Sequence, residues 1–311
     1  MIDQSTVSNR KARKISLDSY DYTKYHPMGE IGYPSDKQKK SIVVDCGIHA
    51  REWIAVAFCQ WLVREVNFLQ NVLRQVDIYV IPVLNVDGYI YSWTDRLWRK
   101  NRSPHDNGAC YGVDLNRNFD ARWCTTGASP NCSTNTFCGP EIASELESQG
   151  LIALINPLRP NVLSYLTIHS YGQYILLPHG YTRDESQNHQ ELMDVANKAA
   201  AKMLALHGKR YTIGSTSVVL YNTSGNSADW TTDINIKFSY TYELRDNGTH
   251  GFLLPEDQIK DTCDENTLAV MSMLEHINEN YLESNAVTIL SIWLNYLHMT
   301  YLLMHFLDIK T

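Results

Sequence analysis

The sequence predicts a single α/β domain: a mixed, mostly parallel twisted sheet with helices on both faces. Three observations predict it. Short, continuous apolar runs rich in Val and Ile stand at 41–44, 77–84 and 162–168. Apolar residues recur at helical spacing between the first two runs. Strand, helix, strand in that order makes a parallel βαβ unit. The chain has 311 residues, 44% of them apolar and 20% charged, which suits a soluble globular core of one large domain or two small ones.

Taken in order, residues 1–40 read as a polar, turn-rich arm with Pro27, Gly29, Gly32 and Pro34. Ser41 to Val44 is a β-branched run and reads as a buried strand. From Trp53 to about Asn71, the residues Ile54, Phe58, Trp61, Leu62, Val66 and Leu69 mark one face of a helix. Asp77 to Leu84 reads as a second buried strand, and residues 141–155 as a helix. Val162 to Ile168 is a third strand, ending at His169. Residues 187–207 place Leu192, Val195, Ala199, Met203 and Leu204 on one side of a helix. Phe238 to Leu244 alternates aromatic and polar residues as a strand does, and a last helix is expected at roughly 264–281.

Ala286 to Leu307 is nearly continuous apolar sequence, broken by Asn295, His298 and His305. A helical membrane span needs about 20 such residues. A transmembrane helix, a cleaved anchor signal of the GPI type with Ser284, Asn285 and Ala286 as attachment site, and a terminal helix packed on the domain all fit. The anchoring signal is the expectation carried forward for residues 284–311. Met1 to Ser16 lacks an apolar run, so no signal peptide is visible.

The net charge of −7 is mild and no basic tract follows the cluster at Arg10 to Lys14, so nucleic-acid binding is not expected. Seven cysteines are present, and Cys110, Cys124, Cys132 and Cys138 crowd into a stretch rich in Asn, Ser, Thr and Gly. That reads as a disulfide-stapled loop and hence an oxidising, extracellular setting, secreted or at the cell surface. Sequons at Asn101, Asn131, Asn222 and Asn247 lend mild support.

The chemistry concentrates in Asp45-Cys46-Gly47-Ile48-His49-Ala50-Arg51-Glu52-Trp53, where an H-x-x-E pair closes the first strand. His49, Glu52 and the later His169 make the ligand set of a catalytic zinc site. Such a site takes three protein ligands and leaves the fourth position for water. Taken alone, H-x-x-E is a weak signal among 11 His and 34 acidic residues. Four further stretches reverse the odds: Asp95-Arg96-Leu97-Trp98-Arg99-Lys100, Asp114-Leu115-Asn116-Arg117-Asn118, His169-Ser170-Tyr171-Gly172-Gln173 and Tyr242-Glu243-Leu244-Arg245-Asp246. In these blocks and in their order, the chain resembles the zinc metallocarboxypeptidases of the pancreatic A/B type, and within them most closely the carboxypeptidase O branch. The resemblance covers roughly residues 41–281 and makes 41–283 the catalytic domain.

The resemblance implies a zinc-dependent exopeptidase acting on peptide or protein C-termini, with one Zn2+ per chain and a monomeric state. His49, Glu52 and His169 would ligate zinc, and Asp114 would orient the His49 imidazole. Glu243 would be the general base and acid, and Arg99 the cation stabilising the oxyanion. One such donor is typically worth about 3–4 kcal/mol of barrier. Arg117, with Asn116 beside it, would pair with the substrate carboxylate through its planar fork. Tyr221 would close over the substrate, and Arg51 and Tyr171 would line the next subsite. The family pattern also implies the pairings Cys46–Cys59, Cys110–Cys132 and Cys124–Cys138, with Cys263 left free.

Two departures from the family stand out. A helix and two strands that the family carries between Tyr25-His26-Pro27 and the strand at Ser41 are missing, so edge strands are expected to be absent and backbone groups there to lose partners. The residue matching the base of the side-chain pocket is Ala228. In the family an aliphatic residue there goes with apolar C-terminal residues, Asp with basic ones and Arg with acidic ones, so neutral C-terminal residues are expected. The missing edge motivates a rival reading, a non-catalytic or unstable truncated form that binds zinc or peptide without turnover. A zinc endopeptidase is disfavoured, because no H-E-x-x-H is present and such an enzyme would not need Arg117.

Overall fold

The computed structural model describes residues 29–65 and 70–282. The apolar segment at 284–311 and the N-terminal basic cluster lie outside the described residues. In chain order the elements are β1 (Gly29–Ile31), β2 (Lys40–Cys46), α1 (Trp53–Glu65), α2 (Gln70–Leu73), β3 (Val76–Ile81), α3 (Val86–Tyr91), a ribbon of β4 (Pro104–His105) and β5 (Cys110–Tyr111), α4 (Leu146–Leu158), β6 (Val162–Ser170) and β7 (Tyr174–Leu177). Then follow α5 (His189–His207), β8 (Thr212–Ser215), α6 (Thr216–Val219), α7 (Ser227–Asp233), β9 (Phe238–Leu244) and α8 (Ile259–Tyr281).

Seven strands form one sheet in the order β1-β3-β2-β6-β9-β7-β8. β3, β2, β6 and β9 run parallel; β1 against β3 and β7 against β9 are antiparallel. From β2 the chain moves to β3 on one side, and β6 lies on the other. The order therefore reverses between β2 and β6, and open α/β sheets bind ligands at the strand ends of such a switch point.

Side-chain alternation sorts the sheet into two cores. Ile42, Val44, Ile78, Val80, Leu166, Ile168, Tyr240 and Tyr242 pack with α1, α5 and α8. Val43, Tyr79, Ile81 and Tyr165 pack on the other face with Leu151 and Ile155 of α4 and Trp230 of α7. Each fully buried apolar side chain of this size contributes about 1.5–3 kcal/mol. The same alternation puts Asp45, His169, Thr241 and Glu243 on the α4/α7 side.

The elements differ in places from the sequence pattern. The helix expected over 53–71 is described as α1 to Glu65 and the short α2 from Gln70. The second strand stops at Ile81, before Pro82, which has no N–H to give a ladder. β6 runs on to Ser170, so His169 lies within the ladder, paired with Glu243. α8 begins at Ile259, ahead of the expected start, because a 3-10 turn at Glu256–Gln258 leads into it. α4 starts at Leu146 and runs to Leu158. β1, β7, β8 and the short helices α3, α6 and α7 were not legible: runs of three to seven residues carry too little periodicity to separate from loops.

At the shortened edge, residues 29–31 of the segment read as a polar arm pair with β3, as Gly29↔Val80, Glu30↔Tyr79 and Ile31↔Ile78. The buried Lys39 ammonium donates to Leu73 O (2.9 Å) and Val76 O (3.2 Å) and pairs with Asp77 (2.6 Å). These contacts give β3 and the Leu73 carbonyl partners at this edge of the sheet. The disulfides are Cys46–Cys59, Cys110–Cys132 and Cys124–Cys138, and Cys263 is a buried free thiol. The first ties the end of β2 to α1; the other two brace the loop that carries Asp114 to Arg117.

Candidate metal centre and substrate cavity

β2 ends at Cys46, and Gly47 turns the chain at φ +65°, where a Cβ would meet Val56 Cγ2 at 2.9 Å. Asn85 fastens this turn, its N donating to Gly47 O and its Nδ2 to Ile48 O (3.0 Å). His49 and Glu52 thus stand at the C-terminal end of β2, beside His169 on the neighbouring β6. All three are buried.

The Nδ1 atoms of the two imidazoles lie 3.1 Å apart. His49 Nδ1 is 2.7 Å from Glu52 Oε1, and His169 Nδ1 is 3.0 Å from Glu52 Oε2. Among the described residues, this is the group whose ligand atoms lie within 4.8 Å of one another and could hold a metal ion. The outer nitrogens show why it fits a cation. His49 Nε2 faces Asp114 Oδ1 at 3.1 Å, an acceptor, so it carries the proton. His169 Nε2 faces Thr167 Oγ1 at 3.1 Å, which donates to Asp45 Oδ1 (3.0 Å), and Asn116 Nδ2 at 3.5 Å. The two Nδ1 atoms face each other and the Glu52 carboxylate. A buried cluster of two imidazoles and a carboxylate matches a zinc donor set, and Asp114 behind His49 orients that ring.

The ionisation pattern of the group is mixed: burial lowers His169, but Glu52, Glu243 and Asp45 outweigh it and push the imidazole up, towards the charged form. Burial opposes charging Glu52, but the His49 and His169 imidazoles outweigh it and hold its carboxyl below the usual range. Burial, then the nearby Arg99, pushes His49 down, towards the neutral form a metal requires.

Asp114 is fully buried and caps the short 3-10 turn Leu115–Arg117, its Oδ1 accepting from Asn116 N (3.0 Å). Its Oδ2 accepts Arg99 Nε (3.0 Å) and Nη2 (2.9 Å). Burial works against its charge, but Arg99, Arg117 and His49 together hold it well below the ordinary value. One carboxylate thus fixes His49 and Arg99 at once. Arg99 O also accepts from Ala50 N (3.0 Å), tying that loop to the ligand turn.

A cavity of about 380 Å³ opens from this group, and His49, Glu52, His169, Arg51, Arg99, Asn116, Arg117, Tyr171, Tyr221 and Glu243 all line it. Arg117 is held by Gly127 O (Nε, 2.8 Å) and Asn116 O (Nη1, 2.8 Å). Gly225, at φ +73°, lets the following loop close against the Arg117 carbonyl, where a Cβ would collide. Tyr221 is 49% exposed at the rim. Arg51 stacks over Phe252 at 4.1 Å, and Tyr171 meets the same ring edge-on at 4.8 Å. Glu243 lies half-buried on β9, its carboxyl pushed up to about 8 by burial, with the His169, Arg99 and Arg51 charges pulling the other way and Glu52 adding to the rise.

Ala228 is buried on α7 among Trp230 and Ile236, and Asn226, two residues earlier, lines the cavity wall. Phe252, Ser170, Leu176, Leu220 and the threonines at 216, 223 and 241 also line the cavity and were not singled out from sequence. The one signal for them was alternation, which sets Thr241 on the face of Glu243.

A family model described as zinc carboxypeptidase matches residues 5–269. Carboxypeptidase O of Bos taurus is 49% identical over 87% of this chain and 83% of its own, and that of Homo sapiens 47% identical over 90% and 86%. Carboxypeptidase B of Bos taurus is 45% identical over 81% of this chain and 62% of its own. The solved structure of bovine thrombin-activatable fibrinolysis inhibitor in complex with tick carboxypeptidase inhibitor superposes with a TM-score of 0.78 at 42% identity, covering 86% of this chain and 90% of that one.

Proposed function

The chain belongs to the zinc carboxypeptidase family, hydrolases acting on peptide C-termini, and from that premise we propose how its residues divide the work of releasing a single C-terminal residue. The carrying observation is the convergence of His49, Glu52 and His169 in the same cavity as Glu243, Arg99 and Arg117. The three-residue group would hold zinc, which when bound supplies Lewis-acid polarisation and a water acidic enough to attack at neutral pH.

Arg117 and Asn116 receive the free carboxylate of the substrate, and Tyr221 at the rim covers it. Glu243 takes the proton from the attacking water and passes it to the leaving amine. Burial raises its carboxyl to about 8, and the charges of His169, Arg99 and Arg51 favour its ionised form. Arg99, held by Asp114, aims a fixed positive charge at the developing oxyanion. Arg51 and Tyr171, braced on Phe252, contact the residue before the scissile bond.

The three disulfides and the carboxypeptidase O relatives support an extracellular or cell-surface setting. Membrane attachment through 284–311 and a monomeric state belong to the same reading; the first is supported by the apolar sequence alone. Among the described residues, no helix is long and apolar enough to cross a membrane.

The test uses paired peptides that differ only in a free or amidated C-terminus. The zinc-loaded chain should release the last residue from the free acid alone, and a chelator should abolish release. Equal cleavage of the amide removes the role of Arg117, and turnover that survives chelation removes the role of the metal group.

A further inference from the structure

We propose that Asn247 carries an N-linked oligosaccharide whose first sugars occupy a second cavity beside the substrate cavity, so that the glycan screens the cleft from long substrates. This rests on the extracellular setting and the exopeptidase reading above. Four Asn-x-Ser/Thr triplets are present, at Asn101, Asn131, Asn222 and Asn247. An attached glycan is bulky and hydrophilic and has to stay on the surface. Asn101 has no room for one in the folded chain: it is 2% exposed, and both ends of its amide are taken. Its Nδ2 donates to Glu145 Oε2 (2.6 Å) and Glu147 Oε2 (3.2 Å), and its Oδ1 accepts from Val113 N (2.7 Å) and Ser103 Oγ (3.1 Å). Asn222 is exposed, but Thr223 and Ser224 behind it are buried, and the Ser224 hydroxyl donates to Thr126 O (2.9 Å). In the Asn131 triplet the middle residue, Cys132, is half-buried and joined to Cys110. Asn247, Gly248 and Thr249 are all exposed, which is true of no other triplet of the four.

The turn that presents Asn247 is fastened by its neighbour. Asp246 Oδ1 accepts from Gly248 N (2.9 Å) and Gly251 N (3.0 Å), and Asp246 Oδ2 from His250 N (2.6 Å). The Asn247 side-chain amide makes no hydrogen bond among the described residues, so its Nδ2 is available for bonding. Asn247 lines a cavity of about 770 Å³ together with Gln173, Tyr174, Lys209, Arg210 and His250. Tyr171 and Leu220 belong to this cavity and to the substrate cavity, so the two adjoin. A sugar ring offers a C–H face and a rim of hydroxyls. The tyrosine rings suit the face, and the amide, ammonium and guanidinium groups suit the hydroxyls. In the attachment step Asn247 Nδ2 loses a proton and bonds to the anomeric carbon of an oligosaccharide delivered on a lipid pyrophosphate. The anomeric C–O bond breaks, and the lipid pyrophosphate leaves with its electron pair. A substrate that continues upstream past Tyr171 meets the adjoining cavity. A glycan seated there obstructs a long chain and leaves a short peptide untouched.

The experiment secretes the full chain from eukaryotic cells behind a cleavable leader. Glycans are mapped by mass spectrometry after treatment with a peptide N-glycosidase, which converts each carrier asparagine to aspartate. Asn247 should be converted and Asn101 should not. Asn247→Gln and Thr249→Ala should each remove the same glycan, the second while keeping the amide. On an N-acylated dipeptide both variants should match the parent's kcat/KM. On a long peptide with the same last two residues both should exceed it several-fold. The ratio between the two substrates is independent of how much of a variant folds. A bare Asn247 in the secreted chain overturns the proposal, as does a glycan on Asn101. Release from neither substrate rejects the exopeptidase reading and the screening role with it, whereas release from both with a ratio unmoved in both variants rejects the proposal alone.

Discussion

The centre of the sheet and its β1 edge both bury charge, and they use it in opposite ways. At the edge, Lys39 is neutralised on the spot: two carbonyls and Asp77 surround its ammonium. At the centre, the Asp114 carboxylate is shared between His49 and Arg99, and the two Nδ1 atoms and Glu52 are left facing one another. The edge arrangement is closed and holds the fold. The central one brings together a group that could hold a metal ion. Changes at the edge should therefore cost stability and leave the catalytic geometry in place, because His49 follows β2 and His169 and Glu243 stand on β6 and β9, with β3 between them and β1.

The sharpest way to test this contrast is at the centre. Glu243→Gln should lower kcat by about 10²- to 10⁴-fold while zinc content, read by elemental analysis, stays as in the parent. Turnover close to the parent's would remove Glu243 from the mechanism. At the edge, Lys39→Met should cost about 2 kcal/mol, since Asp77 keeps partial access to water, and lower Tm by about 4–8 °C. Its kcat/KM should match the parent's. A large fall in kcat/KM measured well below Tm would mean that the edge shapes the site after all.

The smallest expected effect concerns Glu147 on α4, whose carboxyl is pushed up to about 7 by burial and then by Asp87. A raised carboxyl contributes stability below its ordinary value near 4.5, and that contribution is lost as pH rises through about 7. Glu147→Gln should therefore raise Tm by about 2–4 °C at pH 8 and change it little at pH 4. An equal gain at both pH values would show that ionisation is not the cause.

Much of the architecture was legible because long elements repeat their pattern. The expected strands at 41–44 and 238–244 and the helix at 187–207 coincide closely with β2, β9 and α5. The residues expected around the metal, apart from Asp114 behind it and Ala228 in the core, line one cavity. Asn226 was less legible because position within a motif does not say which way a helical side chain points: it lines the cavity wall at the start of α7, while Ala228 packs beside Trp230. The three threonines were invisible for a related reason. Thr216, Thr223 and Thr241 come from separate elements, and only their common exposure to one cavity makes them a group.

By itself, the sequence determined the parallel βαβ core, the H-x-x-E turn and the ordered blocks that mark the family, since these depend on residues close together or on patterns that repeat. Only the tertiary structure decided that both imidazoles turn their Nδ1 atoms inward, that Asp114 serves His49 and Arg99 together, and that β1 and Lys39 close the β3 edge. Those are contacts between residues tens to more than a hundred positions apart. A chain holds such residues together only once the sheet has paired and the cores on its two faces have packed.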